Sequence, residues 1–238
     1  MQLFYTTGID NGFCTLGEEE SRHCAKVLRL KVGDEIDLTD GMGRLYRASL
    51  KKIHTGACQA EIIAVREVAP SPWHLHIALT PTKNPDRFEW FLEKATEIGI
   101  GEVSPLLCQR SERMSLKMPR LEKVMVSAMK QSLRAFLPLL NPPVVFRELV
   151  TSAKAGRNFI AHCATGREDA LASLYVPGSD VLILVGPEGD FSPEEISLAQ
   201  EYGFIAVSLG RNRLRTETAG VVACHTVALL NTIHNPDR

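Results

Sequence analysis

The chain is 238 residues long, 45% hydrophobic and 23% charged, with a formal net charge of −1. That length is long for one ordinary domain and suits two, and the apolar content is enough for real cores. Near-neutral charge gives no global sign of nucleic-acid binding, and the six cysteines (Cys14, Cys24, Cys58, Cys108, Cys163, Cys224) stand far apart with no C-x-x-C pair, which argues against both a disulfide framework and a metal site.

Reduced thiols make the cytoplasm the expected compartment. The opening residues Met1-Gln2-Leu3-Phe4-Tyr5-Thr6 have no basic region followed by a long apolar one, and no run approaches the ~20 residues that span a bilayer. Neither secretion nor membrane insertion is expected. From the start to Pro70-Ser71-Pro72 the pattern is mostly β: a short helix over residues 18–28, then strands over 35–39, 45–53 and 59–65, with a turn at Asp40-Gly41-Met42-Gly43. A small barrel would close the edges of such a sheet.

After Pro72 the pattern alternates. Strands are expected over 75–79, 103–107, 158–163, 181–185 and 205–209, with helices over 86–98, 116–136, 193–202 and 216–233. This is the grammar of an α/β fold with a mainly parallel sheet and helices on both faces. The division predicts two domains, 1–70 and 73–238.

Two turn-rich stretches stand out within the second domain. Val181-Leu182-Ile183-Leu184-Val185 is a continuous apolar run, as in a strand buried on both faces, and it leads into Gly186-Pro187-Glu188-Gly189-Asp190-Phe191-Ser192. Ser192 and Glu195 have capping-box spacing, and Pro193 takes the first helical position, so this segment reads as strand, glycine loop, helix. Loops at the carboxyl ends of strands are where α/β sheets bind ligands. Gly186 to Gly189 matches neither the dinucleotide nor the Walker pattern, so phosphate cradling is not expected, and a plain β-turn is the alternative. The second stretch follows a short buried strand over 205–209. It runs through Gly210, Arg211, Asn212, Arg213, Leu214 and Arg215 to Thr216, which reads as the N-cap of the last helix.

Charge is unevenly placed. Between Arg110 and Arg134 there are seven basic residues (Arg110, Arg113, Lys117, Arg120, Lys123, Lys130, Arg134) against two acidic ones (Glu112, Glu122). Arg113, Lys117 and Arg120 share one helix face if the helix begins early enough, and Arg22, Lys26 and Arg29 repeat that spacing in the first domain. Two such stripes could flank a cleft and track a phosphate backbone, or they are the solvated faces of amphipathic helices. Lys83 and Arg87 follow the first strand of the second domain, where Asn84-Pro85 also reads as an N-cap and N1 pair. His162 reads as a satisfied, partly buried histidine rather than a base, and His225 lies on a packing face of the last helix that could meet another subunit.

These two stretches, together with Thr82-Lys83-Asn84-Pro85-Asp86-Arg87-Phe88-Glu89-Trp90, Lys94-Ala95-Thr96-Glu97-Ile98-Gly99, Arg22-His23 and Val27-Leu28-Arg29-Leu30, resemble the RsmE family of ribosomal RNA methyltransferases. The resemblance covers nearly the whole chain and implies a C-terminal trefoil-knotted SPOUT domain, an N-terminal PUA-like RNA-binding β-barrel and a homodimer. It also implies the reaction: methylation of N3 of a uridine in small-subunit (16S) ribosomal RNA with S-adenosylmethionine. By that resemblance Val185, Gly186, Glu188, Gly189, Leu209, Gly210, Leu214 and Thr216 hold the cofactor, and Arg215 and Glu217 serve the chemistry. Arg22, Lys26, Arg29, Lys83, Arg87, Arg113, Lys117 and Arg120 meet RNA. The chain departs from the family pattern at Asp190, where many members have a second glycine, and at Asn212-Arg213, where they have Arg-Ile. Two other readings stay open: a SPOUT methyltransferase with a different RNA target, and a non-catalytic RNA-binding assembly factor on the same fold.

Overall fold

The computed structural model describes residues 2–112, 115–154, 156–162 and 169–234. The chain clusters into two compact units, Met1–Pro70 with Val126–Leu137, and Ser71–Met125 with Pro138–Arg238.

The first unit is a six-stranded sheet built from β1 (Leu3–Tyr5), β2 (Ile9–Asp10), β3 (Phe13–Thr15), β4 (Glu35–Thr39), β5 (Arg44–Lys52) and β6 (Gln59–Glu67), in the order β1-β4-β5-β6-β3-β2. Alternation sets its inner face: Ile36 and Leu38 of β4, Tyr46, Ala48 and Leu50 of β5 and Ala60 of β6 are buried with Phe4, Leu16 and Cys24 in one core. The residue after β1 curls the sheet back on itself. Thr6 N donates to the Thr39 carbonyl of β4 at 3.1 Å, while Thr6 Oγ1 donates to the Thr15 carbonyl of β3 at 3.0 Å.

The expected helix over 18–28 is α1 (Glu18–Arg22) running into a π-helical turn, His23–Val27. Leu28 N donates to the His23 carbonyl, five residues back, and Arg29 beyond it is left-handed with φ 53°. The wider turn breaks the register on which the Arg22, Lys26, Arg29 stripe was read. Glu18 pairs with Arg22 and Glu20 with Lys130.

The second unit carries β7 (Leu75–Leu79), α2 (Pro85–Ile98), β8 (Glu102–Leu107), β9 (Leu139–Leu140), β10 (Val144–Val145), α4 (Phe146–Ser152), β11 (Phe159–Ala161), α5 (Leu171–Leu174), β12 (Val181–Val185), α6 (Pro193–Glu201), β13 (Ile205–Val207) and α7 (Thr216–His234). Helix α3 (Met118–Gln131) passes from this unit into the first. The sheet is parallel throughout, ordered β10-β8-β7-β12-β11-β13 with β9 beside β8. Every residue of β12 is buried, as its unbroken apolar run requires in a central strand. Strand order reverses between β7 and β12, and a crevice at such a point is where α/β sheets place ligands.

Local signals set the helix ends. Asn84 Oδ1 accepts from Asp86 N at 3.0 Å with Pro85 at N1, and Gly99 closes α2 in the left-handed conformation. Ser192 and Glu195 form the full capping box of α6. Helix α3 begins only at Met118, because Pro119 is tolerated in the first turn alone. Lys117 therefore precedes the helix, and Arg113 lies outside the described residues, as does Cys163 of the strand expected over 158–163. Strand β13 is not a buried strand: it is the sheet's edge, and Ile205 is exposed. No helix among the described residues is long and apolar enough to cross a membrane.

At the amino ends of β7 and β8 a polar network satisfies itself. Glu102 accepts from Asn141 Nδ2 at 2.6 Å and meets His74 Nε2 at 2.8 Å, and His76 Nε2 meets Ser104 Oγ at 2.8 Å. Burial holds the His76 imidazole below its usual value near 6.5 against the pull of Glu102. Burial alone would raise Glu102, but the His74 hydrogen bond, the His76 charge and the Asn141 hydrogen bond outweigh it and keep the carboxyl below 4.5. For both groups the folded value is the lower one, so their stability is fully present above the unfolded values and is lost as pH falls through the folded ones. Unfolding titrated from pH 7.5 to 5 should show declining stability below about pH 6.5, with a shallower decline in His76→Gln. Identical slopes would remove His76 from the acid response.

Candidate functional site

The carboxyl ends of β7 and β12 lie side by side, tied by Thr80 N donating to the Val185 carbonyl at 3.1 Å. From β12 the chain turns at Gly186, which is buried. A Cβ there would stand 3.0 Å from the Phe191 ring, so the glycine lets the loop fold down onto that ring. Phe191 in turn packs against Phe146, with ring centroids 5.4 Å apart. Glu188 and Gly189 rise to the surface.

The second loop reaches the first through two side chains, and a third comes from the loop after β8. Thr216 is the first residue of α7 rather than its N-cap, and its hydroxyl donates to the Gly186 carbonyl at 3.1 Å. Arg213 Nη2 donates to the Glu188 carbonyl at 3.1 Å, and from the loop after β8 Arg110 Nη1 donates to the Gly189 carbonyl at 2.7 Å. The two turn-rich stretches, about twenty residues apart in sequence, thus form one surface. Gly210 has φ 135°, open to glycine alone, and nothing lies within 4 Å of where its Cβ would be. Leu209 and Leu214 flank it half-buried.

Glu217 sits in the first turn of α7, 6% exposed. Its Oε1 is 3.8 Å from Arg87 Nε, while its Oε2 is buried without a hydrogen-bond partner. Such an atom is expensive to keep and calls for an explanation. Among the described residues its ion pair is with Arg87, at the start of α2, while Arg215 is exposed just ahead of α7 with its carbonyl accepting from Ala219 N at 2.8 Å. Cys108, next to Thr80 Oγ1 at 3.2 Å, is no nucleophile: burial pushes its thiol up to about 12.

The remaining basic candidates are mostly paired. Lys83 lies 3.1 Å from Glu112, Arg120 lies 2.7 Å from Glu89 and 3.9 Å from Asp86, and Arg22 pairs with Glu18. Exposed pairs such as Lys83–Glu112 and Arg22–Glu18 are worth about 0–1 kcal/mol, so a phosphate can replace the carboxylate there at little cost. Lys117 precedes α3, its carbonyl accepting from Arg120 N at 2.9 Å. His162 is buried and His225 is exposed, so His225 does not pack within this chain. Among the described residues no group of three or more His, Cys, Asp or Glu is placed to hold a metal ion. Arg110 was counted in the sequence only as part of a basic run. The signal that could have singled it out is its place in the loop at the carboxyl end of β8.

A family model for an RNA methyltransferase domain matches residues 69–228, and one for an RNA methyltransferase PUA domain matches residues 16–63. The ribosomal RNA small subunit methyltransferase E of Synechocystis sp. is 32% identical over 216 residues, covering 88% of this chain and 70% of that protein. Its namesake from Mycobacterium tuberculosis is 28% identical over 240 residues, covering 96% and 91%. Among solved structures, a probable rRNA-methyltransferase from Porphyromonas gingivalis matches with a TM-score of 0.92 and 38% identity, over 98% of this chain and all of that one (100%). A ribosomal RNA small subunit methyltransferase E from Neisseria gonorrhoeae bound to S-adenosyl methionine matches with a TM-score of 0.86 and 28% identity, over 97% and 98%.

Proposed function

Because this chain belongs to the ribosomal RNA small subunit methyltransferase E family, we propose that it methylates N3 of a uridine in 16S ribosomal RNA, using S-adenosylmethionine. The observation that carries the reading is the joining of the two glycine loops at the strand-order reversal, through Thr216 and the Gly186 carbonyl. Residues 1–70 are assigned as a PUA-like RNA-binding domain and 73–238 as the knotted SPOUT domain.

The residues present fit the cofactor. Gly210 leaves main-chain groups uncovered, so backbone of Val185, Gly186, Gly189, Leu209, Gly210 and Leu214 can hold adenine and ribose, with Glu188 and Thr216 beside them. The sulfonium of bound S-adenosylmethionine supplies an activated methyl group. The protein's own tasks are then alignment and charge. Arg215, which never deprotonates, presents a fork of donors to a uracil oxygen as negative charge develops. Glu217, with one buried oxygen unmatched and Arg87 beside the other, receives or relays the N3 proton. N3 lies on the Watson–Crick edge, so the target base must be unpaired or flipped. Lys83, Arg87, Lys117 and Arg120, and in the first unit Arg22, Lys26 and Arg29, bind phosphates.

A homodimer in the cytoplasm completes the reading. The homodimer is supported by Val222, His225, Leu229 and Ile233, spaced along one side of α7, where Leu229 is 45% and Ile233 60% exposed. Incubating the protein and S-adenosylmethionine with undermethylated small subunits or naked RNA, followed by nucleoside mass spectrometry, tests the reaction. The expected product is 3-methyluridine; a different methylated nucleoside would make this a methyltransferase of another target, and no methylation an assembly factor.

Gly189→Val tests the loop. A Cβ at Gly189 meets only the Arg110 stem, at 3.6 Å, so the fold should tolerate the change with melting shifted by no more than a few degrees. Binding of S-adenosylmethionine by calorimetry should fall roughly tenfold or more, because a β-branched side chain covers the backbone that the cofactor approaches. Parent-like affinity in a folded variant would leave Gly186 to Gly189 a simple turn.

A further inference from the structure

At the tip of the loop after β12, Asp190 has a left-handed backbone with φ 61°. Any residue with a Cβ is disfavoured there. Asp190 meets part of the demand itself: its N donates to the Pro187 carbonyl at 2.9 Å, and its Oδ1 accepts from Phe191 N at 2.9 Å. Arg110 adds to this from the neighbouring loop. Its Nη1 donates to the Gly189 carbonyl at 2.7 Å and makes a longer contact to the Phe191 carbonyl at 3.4 Å, so one nitrogen spans the two peptide oxygens on either side of Asp190. The arginine's stem lies over Gly189, and its own loop is anchored by Gln109 N donating to Glu195 Oε1 at 2.8 Å and Cys108 N donating to Ser111 Oγ at 2.7 Å.

We infer that Arg110 is a positioning residue for the cofactor loop, holding the Gly189 and Phe191 carbonyls so that the left-handed turn at Asp190 persists and Gly186 to Gly189 offer S-adenosylmethionine one conformation. The inference rests on the assignment of that loop to the cofactor. It gives Arg110 a role apart from the phosphate-tracking stripes, since its guanidinium is engaged by main-chain oxygens. It also accounts for the aspartate at a position that suits glycine: the brace makes up for the missing conformational freedom. Without the brace the competent loop is only fractionally populated, and apparent affinity falls by that fraction.

Four variants decide the matter, each measured for S-adenosylmethionine affinity by calorimetry and for RNA affinity as a function of salt. Arg110→Ala should bind the cofactor about tenfold more weakly, with RNA affinity and its salt slope unchanged. Asp190→Gly alone should change cofactor affinity by no more than about twofold, whereas added to Arg110→Ala it should restore most of the loss, because glycine takes the left-handed turn unaided. Arg110→Lys, which reaches one carbonyl, should fall about threefold and serves as the reading if the alanine variant does not fold. Parent-like cofactor binding by Arg110→Ala or, failing that, Arg110→Lys would overturn the brace, and the loop assignment would survive if Gly189→Val still failed to bind. Parent-like binding by Gly189→Val as well would overturn the loop assignment itself. A double variant as weak as Arg110→Ala would overturn the role of Asp190, and a flattened salt slope with intact cofactor binding would make Arg110 a phosphate contact.

Discussion

Arg215→Lys should lower single-turnover methylation about a hundredfold, a loss on the order of 3 kcal/mol, while RNA affinity moves much less. The residue is exposed, and its carbonyl starts the hydrogen-bond ladder of α7 by accepting from Ala219 N, so its backbone is held while its side chain projects from the end of the helix. A lysine keeps the charge. It does not keep the planar fork, and a point charge on a flexible stem cannot serve two acceptors in one geometry. Because the uracil is anionic only as the reaction proceeds, the lost interaction belongs to the transition state and appears in turnover rather than in binding. Arg215→Ala should fall further by the same route. Equal losses of affinity with an intact chemical rate in both variants would make Arg215 a phosphate anchor.

Locally encoded features were legible in the sequence. Asn84-Pro85 and the Ser192 to Glu195 spacing announced helix starts that the structure realises by the hydrogen bonds those side chains are built to make. The apolar run of β12 announced a central strand, and with it a loop at its carboxyl end. What pairing at long range decides was not legible. Thr216 looked like a cap, because nothing in sequence shows that the Gly186 carbonyl, thirty residues earlier, competes for its hydroxyl. Glu217 lies beside Arg87, far back in the chain, which no local pattern around either residue marks. Strand β13 has the same apolar character as an interior strand, and its place at the edge follows only from the order of the sheet. The segment Val126–Leu137 is sequence-contiguous with the second unit yet clusters with the first, which no composition shift marks.

Gly220→Val should destabilise the protein by about 3 kcal/mol, or roughly ten degrees in melting temperature for a unit of this size. Glycine inside a helix costs about 1 kcal/mol relative to alanine, so its presence in α7 needs a reason. The reason is proximity: a Cβ at Gly220 would stand 2.3 Å from Leu79 Cδ1 and 2.7 Å from the Phe91 ring. Both neighbours are fully buried, Leu79 in β7 and Phe91 in α2, so neither can swing aside without opening the core. Even Gly220→Ala should destabilise, since the gain in helix propensity is smaller than the overlap it creates. The consequence reaches the site, because Gly220 lies one turn from Thr216 and Glu217. Pushing α7 away from β7 lengthens the Thr216 hydroxyl bond to Gly186 and separates the two glycine loops, so S-adenosylmethionine affinity should fall along with stability. Denaturant unfolding and calorimetry on Gly220→Ala and Gly220→Val check both halves: a variant as stable as the parent would deny the tight packing of α7 on β7. A destabilised variant with undiminished affinity would show that the loops keep their geometry without the helix behind them.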